Sequence, residues 1–206
     1  MKRPLFIAFE GIDGSGKSTQ ADLLGFRFKR MGYPLHATCE PTDGPIGKLI
    51  RKAFKGEMKL NDKTIAGLFV ADRLEHILNP DFGMLKYLGA DHIVICDRYY
   101  FSSYAYQASF TSMEWVIQAN AISASLLKPD LTIFVDVDPV LCMERIMKNR
   151  SATELYENLE NLERVRSNYL KAFDLLNQQE NIFITDGSLP IAQVEESIWL
   201  KIETML

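Results

Sequence analysis

Residues 11–18 read Gly-Ile-Asp-Gly-Ser-Gly-Lys-Ser, a complete match to the pattern G-x-x-x-x-G-K-[ST]. No other feature constrains the fold as tightly, because such a loop works only between a strand that delivers it and a helix that leaves it. Both flanks are present. Leu5-Phe6-Ile7-Ala8-Phe9 is an apolar run of strand length, and Ala21, Leu24, Phe28 and Met31 recur at helical spacing up to Gly32, a helix stop. The glycines let the backbone turn so that successive N–H groups face phosphate oxygens, with a helix N-terminus adding its positive dipole end. Gly11, Ile12, Asp13, Gly14, Ser15, Gly16, Lys17, Ser18 and Thr19 are therefore expected to cradle a nucleotide polyphosphate. Lys17 is expected to be an exposed ligand of the β- and γ-phosphates, and Ser18 a ligand of Mg²⁺.

The chain has 206 residues, 47% of them apolar and 24% charged, which suits a single domain with a large core. A net charge of −4 gives no footprint for nucleic acid, so no nucleic-acid partner is expected. Cys39, Cys96 and Cys142 are odd in number and far apart, with no C-x-x-C. A reducing, cytoplasmic setting fits them better than a zinc site or a disulfide framework. Lys2 and Arg3 precede an apolar run, but Glu10 breaks it, so a signal peptide is not expected. No stretch approaches the ~20 apolar residues of a membrane span.

Apolar runs at 5–9, 35–38, 93–96, 131–137 and 182–185 alternate with helical stretches. That alternation predicts an α/β fold with a five-stranded parallel sheet flanked by helices in three layers. Leu155, Leu159, Leu162, Val165, Tyr169, Phe173 and Leu176 form one helical stripe, and Ile191, Val194, Ile198, Ile202 and Met205 another. Both are expected to pack in the core.

A phosphate loop alone does not separate motors, GTPases and kinases. Three further groups narrow the choice. Asp97-Arg98-Tyr99 follows the run 93–96, where a parallel sheet gathers its catalytic groups at the carboxyl ends of strands. There Asp97 can support Mg²⁺ and Arg98 can grip an acceptor phosphate, with a strand-end salt bridge between the two as the lesser alternative. Ser103 and Gln107 lie four apart and can read the edge of a planar base, with Tyr106 walling the sugar. A polar helix start with capping serines would explain them as well. Phe69 and Arg73 are also four apart: an aromatic face for a base and a donor for its carbonyl. Phe69 in the core and Arg73 on the surface is the commoner fate of such a pair.

Taken together, the chain resembles the thymidylate kinases, nucleoside monophosphate kinases of the P-loop NTPase fold. The resemblance rests on Phe-Glu-Gly-Ile-Asp-Gly-Ser-Gly-Lys-Ser-Thr-Gln (9–20), Glu-Pro-Thr (40–42) with Gly47 and Arg51, and Leu-Phe-Val-Ala-Asp-Arg (68–73). It continues through Asp-Arg-Tyr-Tyr-Phe-Ser-Ser-Tyr-Ala-Tyr-Gln (97–107), Lys-Pro-Asp-Leu-Thr (128–132) and Val-Arg-Ser-Asn-Tyr-Leu (165–170). It implies transfer of the γ-phosphate of ATP to dTMP with Mg²⁺, and a homodimer. By resemblance Phe69 stacks on thymine, Arg73 bonds its O4, and Ser103 and Gln107 meet the remaining edge. Tyr106 crowds the 2′ position, Asp13 approaches the 3′-hydroxyl, Arg98 holds the acceptor phosphate, and Arg51 and Glu40 line the same pocket. Asp97 supports Mg²⁺.

Two family features bear on the transition state. Some members carry an arginine in the phosphate loop where this chain has Gly14, which points to the other type, served by a mobile lid. The lid is expected around 145–157, with Arg145, Lys148 and Arg150. Leu155 stands where many such members have an arginine before the pair Tyr156-Glu157, leaving Arg150, then Arg145, to supply positive charge. Cys39 likewise replaces an arginine that many bacterial members place before Glu-Pro. Adenine contacts are expected near Asp186-Gly187-Ser188. The rival readings are a kinase for another nucleotide or a deoxynucleoside, and a nucleotide-binding protein without phosphotransfer.

Overall fold

In a computed structural model, which describes residues 3–149 and 158–206, five parallel strands form one sheet in the order β2-β3-β1-β4-β5. In chain order the elements are β1 (Phe6–Glu10), α1 (Lys17–Arg30), β2 (Leu35–Cys39), α2 (Pro45–Phe54), α3 (Asp62–Leu78), α4 (Met84–Gly89), β3 (Ile93–Asp97) and α5 (Tyr100–Gln107). Then come α6 (Met113–Ala119), α7 (Ala121–Leu126), β4 (Leu131–Asp136), α8 (Pro139–Asn149), α9 (Leu159–Leu176), β5 (Ile182–Asp186) and α10 (Ile191–Glu203). The α/β architecture expected from the alternating pattern is the one observed. Three strands, β1, β3 and β4, are almost wholly buried, as strands covered on both faces must be, while β2 and β5 form half-exposed edges.

β1 lies between β3 and β4, so the chain leaves it in both directions across the sheet. This is the point where ligand sites open at the carboxyl ends of parallel strands. The phosphate loop leaves β1 here, and Asp97 ends β3 beside it. One boundary differs informatively from the sequence pattern. The strand begins at Phe6 and includes Glu10, which is 0% exposed. A carboxylate ends an apolar run in sequence, but this one is satisfied internally. It accepts from the Tyr99 and Ser102 backbone N–H groups at 2.9 and 3.2 Å and from the Ser102 and Tyr169 hydroxyls at 2.5 and 2.9 Å. Burial raises the Glu10 pKa all the same.

The helical stripes pack largely as expected. Leu162, Val165, Tyr169 and Phe173 of α9, and Val194, Ile198 and Ile202 of α10, are buried. Their outermost members are not: Leu159 and Ile191 are exposed. Met31 is a further departure. It caps α1 and faces solvent, because Gly32 at φ +73 turns the chain away and the Tyr33 N–H closes on the Phe28 carbonyl. Among the described residues, no helix is long and apolar enough to cross a membrane.

Candidate active site

The phosphate loop folds as its glycines require. Gly14 and Gly16 adopt φ +80 and +89, and Gly16 hands the chain to α1. The loop opens on a cavity of about 510 Å³ lined by residues 13–20, Arg145, Gly187, Leu189 and Ile191 among others. That volume fits a nucleotide-sized ligand. Gly11 and Ile12 do not line it; Ile12 is packed in the core. Gly14 shows why this loop carries no side chain at that point. A Cβ there would meet the Cys142 carbonyl oxygen at 2.6 Å, because α8 closes over the loop.

Lys17 departs from the expectation of an exposed ligand. It is 7% exposed and lies 3.9 Å from Asp13. Burial and the nearby positive charge of Arg98 lower its pKa, partly offset by Asp97, Asp13 and Glu10. Ser18 donates a short hydrogen bond to Asp97 Oδ2, whereas Asp97 Oδ1 is buried without a hydrogen-bond partner among the described residues. A hydroxyl and a carboxylate converging at the phosphate loop, with one oxygen unmatched, form a donor set suited to a hard divalent cation.

Arg98 does not pair with its neighbour Asp97. Its NH2 lies 2.5 Å from Asp13 Oδ1 and 3.1 Å from the Tyr106 hydroxyl, which itself donates to Asp13 Oδ2 at 2.8 Å. Burial raises the Tyr106 pKa well above its usual value, keeping that hydroxyl a donor. Burial alone would raise the Asp13 pKa; the charges of Arg98 and Lys17 outweigh it and hold the group below its ordinary value. The Arg98 backbone sits at φ +72, a left-handed conformation seldom adopted by an arginine, and is held by its N–H on the Phe9 carbonyl and by the Cys96 thiol on its own carbonyl. Its NH1 rests on the Ser102 hydroxyl at 3.0 Å, which in turn donates to Glu10. Glu10, Ser102 and Tyr169 were not singled out by sequence reasoning. The only signal was a carboxylate interrupting an apolar run.

The second group is equally built, but not as a surface pocket. Arg73 is 1% exposed. Its Nε and NH2 both reach Glu40 Oε2, at 2.8 and 2.6 Å, and its NH1 donates to Ser103 Oγ at 3.1 Å and to Asn120 Oδ1. Ser103 and Arg73, thirty residues apart, are thus brought together. Gln107 is 7% exposed, and its carbonyl oxygen has no hydrogen-bond partner among the described residues. Phe69 packs with Ile50, Ala53 and Ile65 between α2 and α3. Glu40 is buried as the counter-ion of Arg73. Arg51 straps the loop after β2, donating to the Pro41 and Thr42 carbonyls. Gly47 permits this, since a Cβ there would lie 2.0 Å from the Thr42 carbonyl oxygen. Asp72, Asn120 and His76 complete the network and escaped the sequence reading. Asp72 and His76 read as ordinary polar positions of α3, and Asn120 as a polar residue at the α6–α7 junction.

Arg145 lies on the cavity wall, reaching the Ser15 and Gly187 carbonyls at 3.4 and 3.1 Å. Arg150, Leu155, Tyr156 and Glu157 lie outside the described residues, as does most of the expected lid.

With a phosphate-loop cavity that Asp13 links to Arg98 and Tyr106, comparison with known proteins decides the family. The sequence model described as thymidylate kinase matches residues 9–198. The chain belongs to the thymidylate kinase family. It is 41% identical to the probable thymidylate kinase of Pyrococcus horikoshii over 84% of each chain. It is 37% identical to that of Thermococcus kodakarensis over 98% of each. It is 36% identical to the thymidylate kinase of Leptospira interrogans over 82% of each.

Proposed function

We propose that this thymidylate kinase family member transfers the γ-phosphoryl group of ATP to the 5′-phosphate of dTMP, giving dTDP and ADP. An acceptor phosphate oxygen forms the new bond to the γ-phosphorus, and the bond from that phosphorus to the β–γ bridging oxygen breaks. The observation that carries the reading is Asp13: it lines the donor cavity and also binds Arg98 and Tyr106, the side chains assigned to the acceptor.

Phosphoryl transfer depends on alignment and charge more than on covalent chemistry. In this reading the loop N–H groups and Lys17 hold the donor phosphates. Ser18 and Asp97 would hold Mg²⁺, which when bound neutralises charge on those phosphates. Arg98 aligns the acceptor phosphate, and Asp13 and Tyr106 face the sugar. Phe69 stacks on the base, with Arg73, Ser103 and Gln107 on its edge. An acceptor N–H at N3 and a carbonyl at C4 match the unpartnered Gln107 oxygen and the Arg73 guanidinium; cytosine presents the reverse polarity at both atoms. Glu40 and Arg51 act on this pocket from behind, as counter-ion and as strap. Arg145, Gly187 and Leu189 wall the donor base. Arg150 supplies charge to the transferring group. Family resemblance supports a homodimer in the cytoplasm, and light scattering tests the assembly.

The functional test is ADP release from MgATP with dTMP, dCMP, dGMP, thymidine or no acceptor. Turnover is expected with dTMP far above the rest. Robust ATP hydrolysis without acceptor, or preference for a purine monophosphate or a nucleoside, would replace this reading with one of its rivals.

A further inference from the structure

Helix α3 buries three charged or titratable side chains in succession along one face: Asp72, Arg73 and His76. Asp72 holds the loop after β2 by accepting from the Thr42 N–H and hydroxyl at 2.7 and 2.6 Å. His76 has no part in the reaction described above, yet it is 3% exposed and both ring nitrogens are bonded. Nδ1 is 3.0 Å from Glu40 Oε1, and Nε2 is 2.7 Å from the Thr38 hydroxyl. A carboxylate only accepts, so Nδ1 carries a hydrogen and donates to Glu40. Cys96 Sγ lies within 4.8 Å of the Glu40 and His76 ligand atoms, but its thiol donates to the Arg98 carbonyl and Glu40 already faces the Arg73 cation. The trio is therefore part of a hydrogen-bond network and not a metal centre.

The way Arg73 meets Glu40 is unusual. An arginine and a carboxylate ordinarily join by two parallel bonds, one to each oxygen. Here both Arg73 nitrogens converge on Oε2, because His76 occupies Oε1. Arg73 has five N–H donors. Nε uses its one on Glu40 and NH1 uses two on Ser103 and Asn120, whereas NH2 lies 2.6 Å from Glu40 Oε2 as an ion-pair contact and makes no hydrogen bond among the described residues. The two NH2 donors are left for a ligand.

We propose that His76 is a positioning residue for the acceptor base: by occupying one oxygen of Glu40 it prevents a symmetric Glu40–Arg73 fork and keeps the Arg73 NH2 donors turned to the base. The inference rests on the reading of Arg73 as the base ligand. Without His76, Glu40 turns to offer both oxygens, the guanidinium rotates onto it, and the base loses its donor while the ion pair itself survives. His76 thus controls affinity for dTMP without touching it.

The test is steady-state kinetics on the full chain with MgATP and dTMP, alongside thermal melts. His76→Leu is expected to raise KM for dTMP about tenfold, the equivalent of ~1.4 kcal/mol, with KM for ATP within about twofold. His76→Asn, whose amide can replace the Nδ1–H, should recover KM for dTMP to within about threefold of the wild type, the residue of one imperfect neutral hydrogen bond. Thr38→Val should raise it slightly, and it carries the test if His76→Leu does not fold. In an Arg73→Ala background, His76→Leu should add nothing further. An unchanged KM for dTMP, equal rises for both substrates, or an asparagine variant no better than the leucine one would overturn the proposal. If Arg73→Ala itself binds dTMP like the wild type, the base assignment fails instead, independently of His76.

Discussion

The two halves of the site are built from different materials. In the proposed reading the donor half centres on one contiguous stretch, residues 13–20, which opens on a cavity of about 510 Å³ walled also by Arg145, Gly187 and Leu189. The acceptor half draws side chains from β2's end, α3, α5 and the α6–α7 junction, and most are already bonded to one another. A polyphosphate is the same on every nucleotide, so a fixed array of N–H groups suffices for it. A base must be distinguished from its relatives, and that requires donors and acceptors held in one orientation by a dry, bonded network that leaves a few groups open for the base. Such networks tolerate little: removing one member leaves another buried and unpaired.

That contrast can be broken from the donor side first. Arg150→Ala has the largest expected effect, because Gly14 leaves the loop without an arginine and an arginine on the transferring group is worth ~10³–10⁵ in kcat. KM for dTMP should hardly move. If kcat stays within about threefold, under ~0.7 kcal/mol of barrier, Arg150 has no such role. Lys17→Met should lower kcat by ~10²–10³ or more, the range for a lost electrostatic donor. Stability sharpens this prediction. The folded state lowers the Lys17 pKa, so its charge works against folding and the loss is greatest when the pH is low enough to keep it protonated. The variant should therefore melt no lower than the wild type at neutral pH, and a clear drop in its melting temperature would show that Lys17 supports the fold. Gly14→Ala carries the smallest effect and acts on stability. Positive φ and the Cys142 carbonyl at 2.6 Å together should cost about 1–3 kcal/mol. A melt lowered by roughly 2–4 °C for each of those kcal/mol reads it out; an unchanged melt would mean that α8 does not close on the loop.

The same contrast explains what could be read from sequence. The donor loop is local, so its eight residues imply its geometry, and the five strands follow from apolar runs of ordinary length. Phe69, Arg73, Ser103 and Gln107 could be noticed as helical pairs, but not their burial. Arg73 is expected at the surface from its type; it lies inside because Glu40, thirty-three residues earlier, meets it there. Glu10 broke an apolar run and was read as its end, whereas donors from Tyr99, Ser102 and Tyr169 keep it within the strand. Asn120, Asp72 and His76 left no periodic trace. Long-range polar pairing is set by tertiary contact, which spacing along a chain does not encode.

Crosswise calorimetry tests the division of the site most directly. ATP and dTMP would each be titrated into the wild type, Lys17→Met and Arg73→Ala. Arg73→Ala should weaken dTMP by about 1.5–3 kcal/mol, the worth of a hydrogen bond to a charged group, and leave ATP nearly unchanged, while Lys17→Met should do the reverse. Losses of equal size for both ligands in either variant would contradict the account of two separately built pockets.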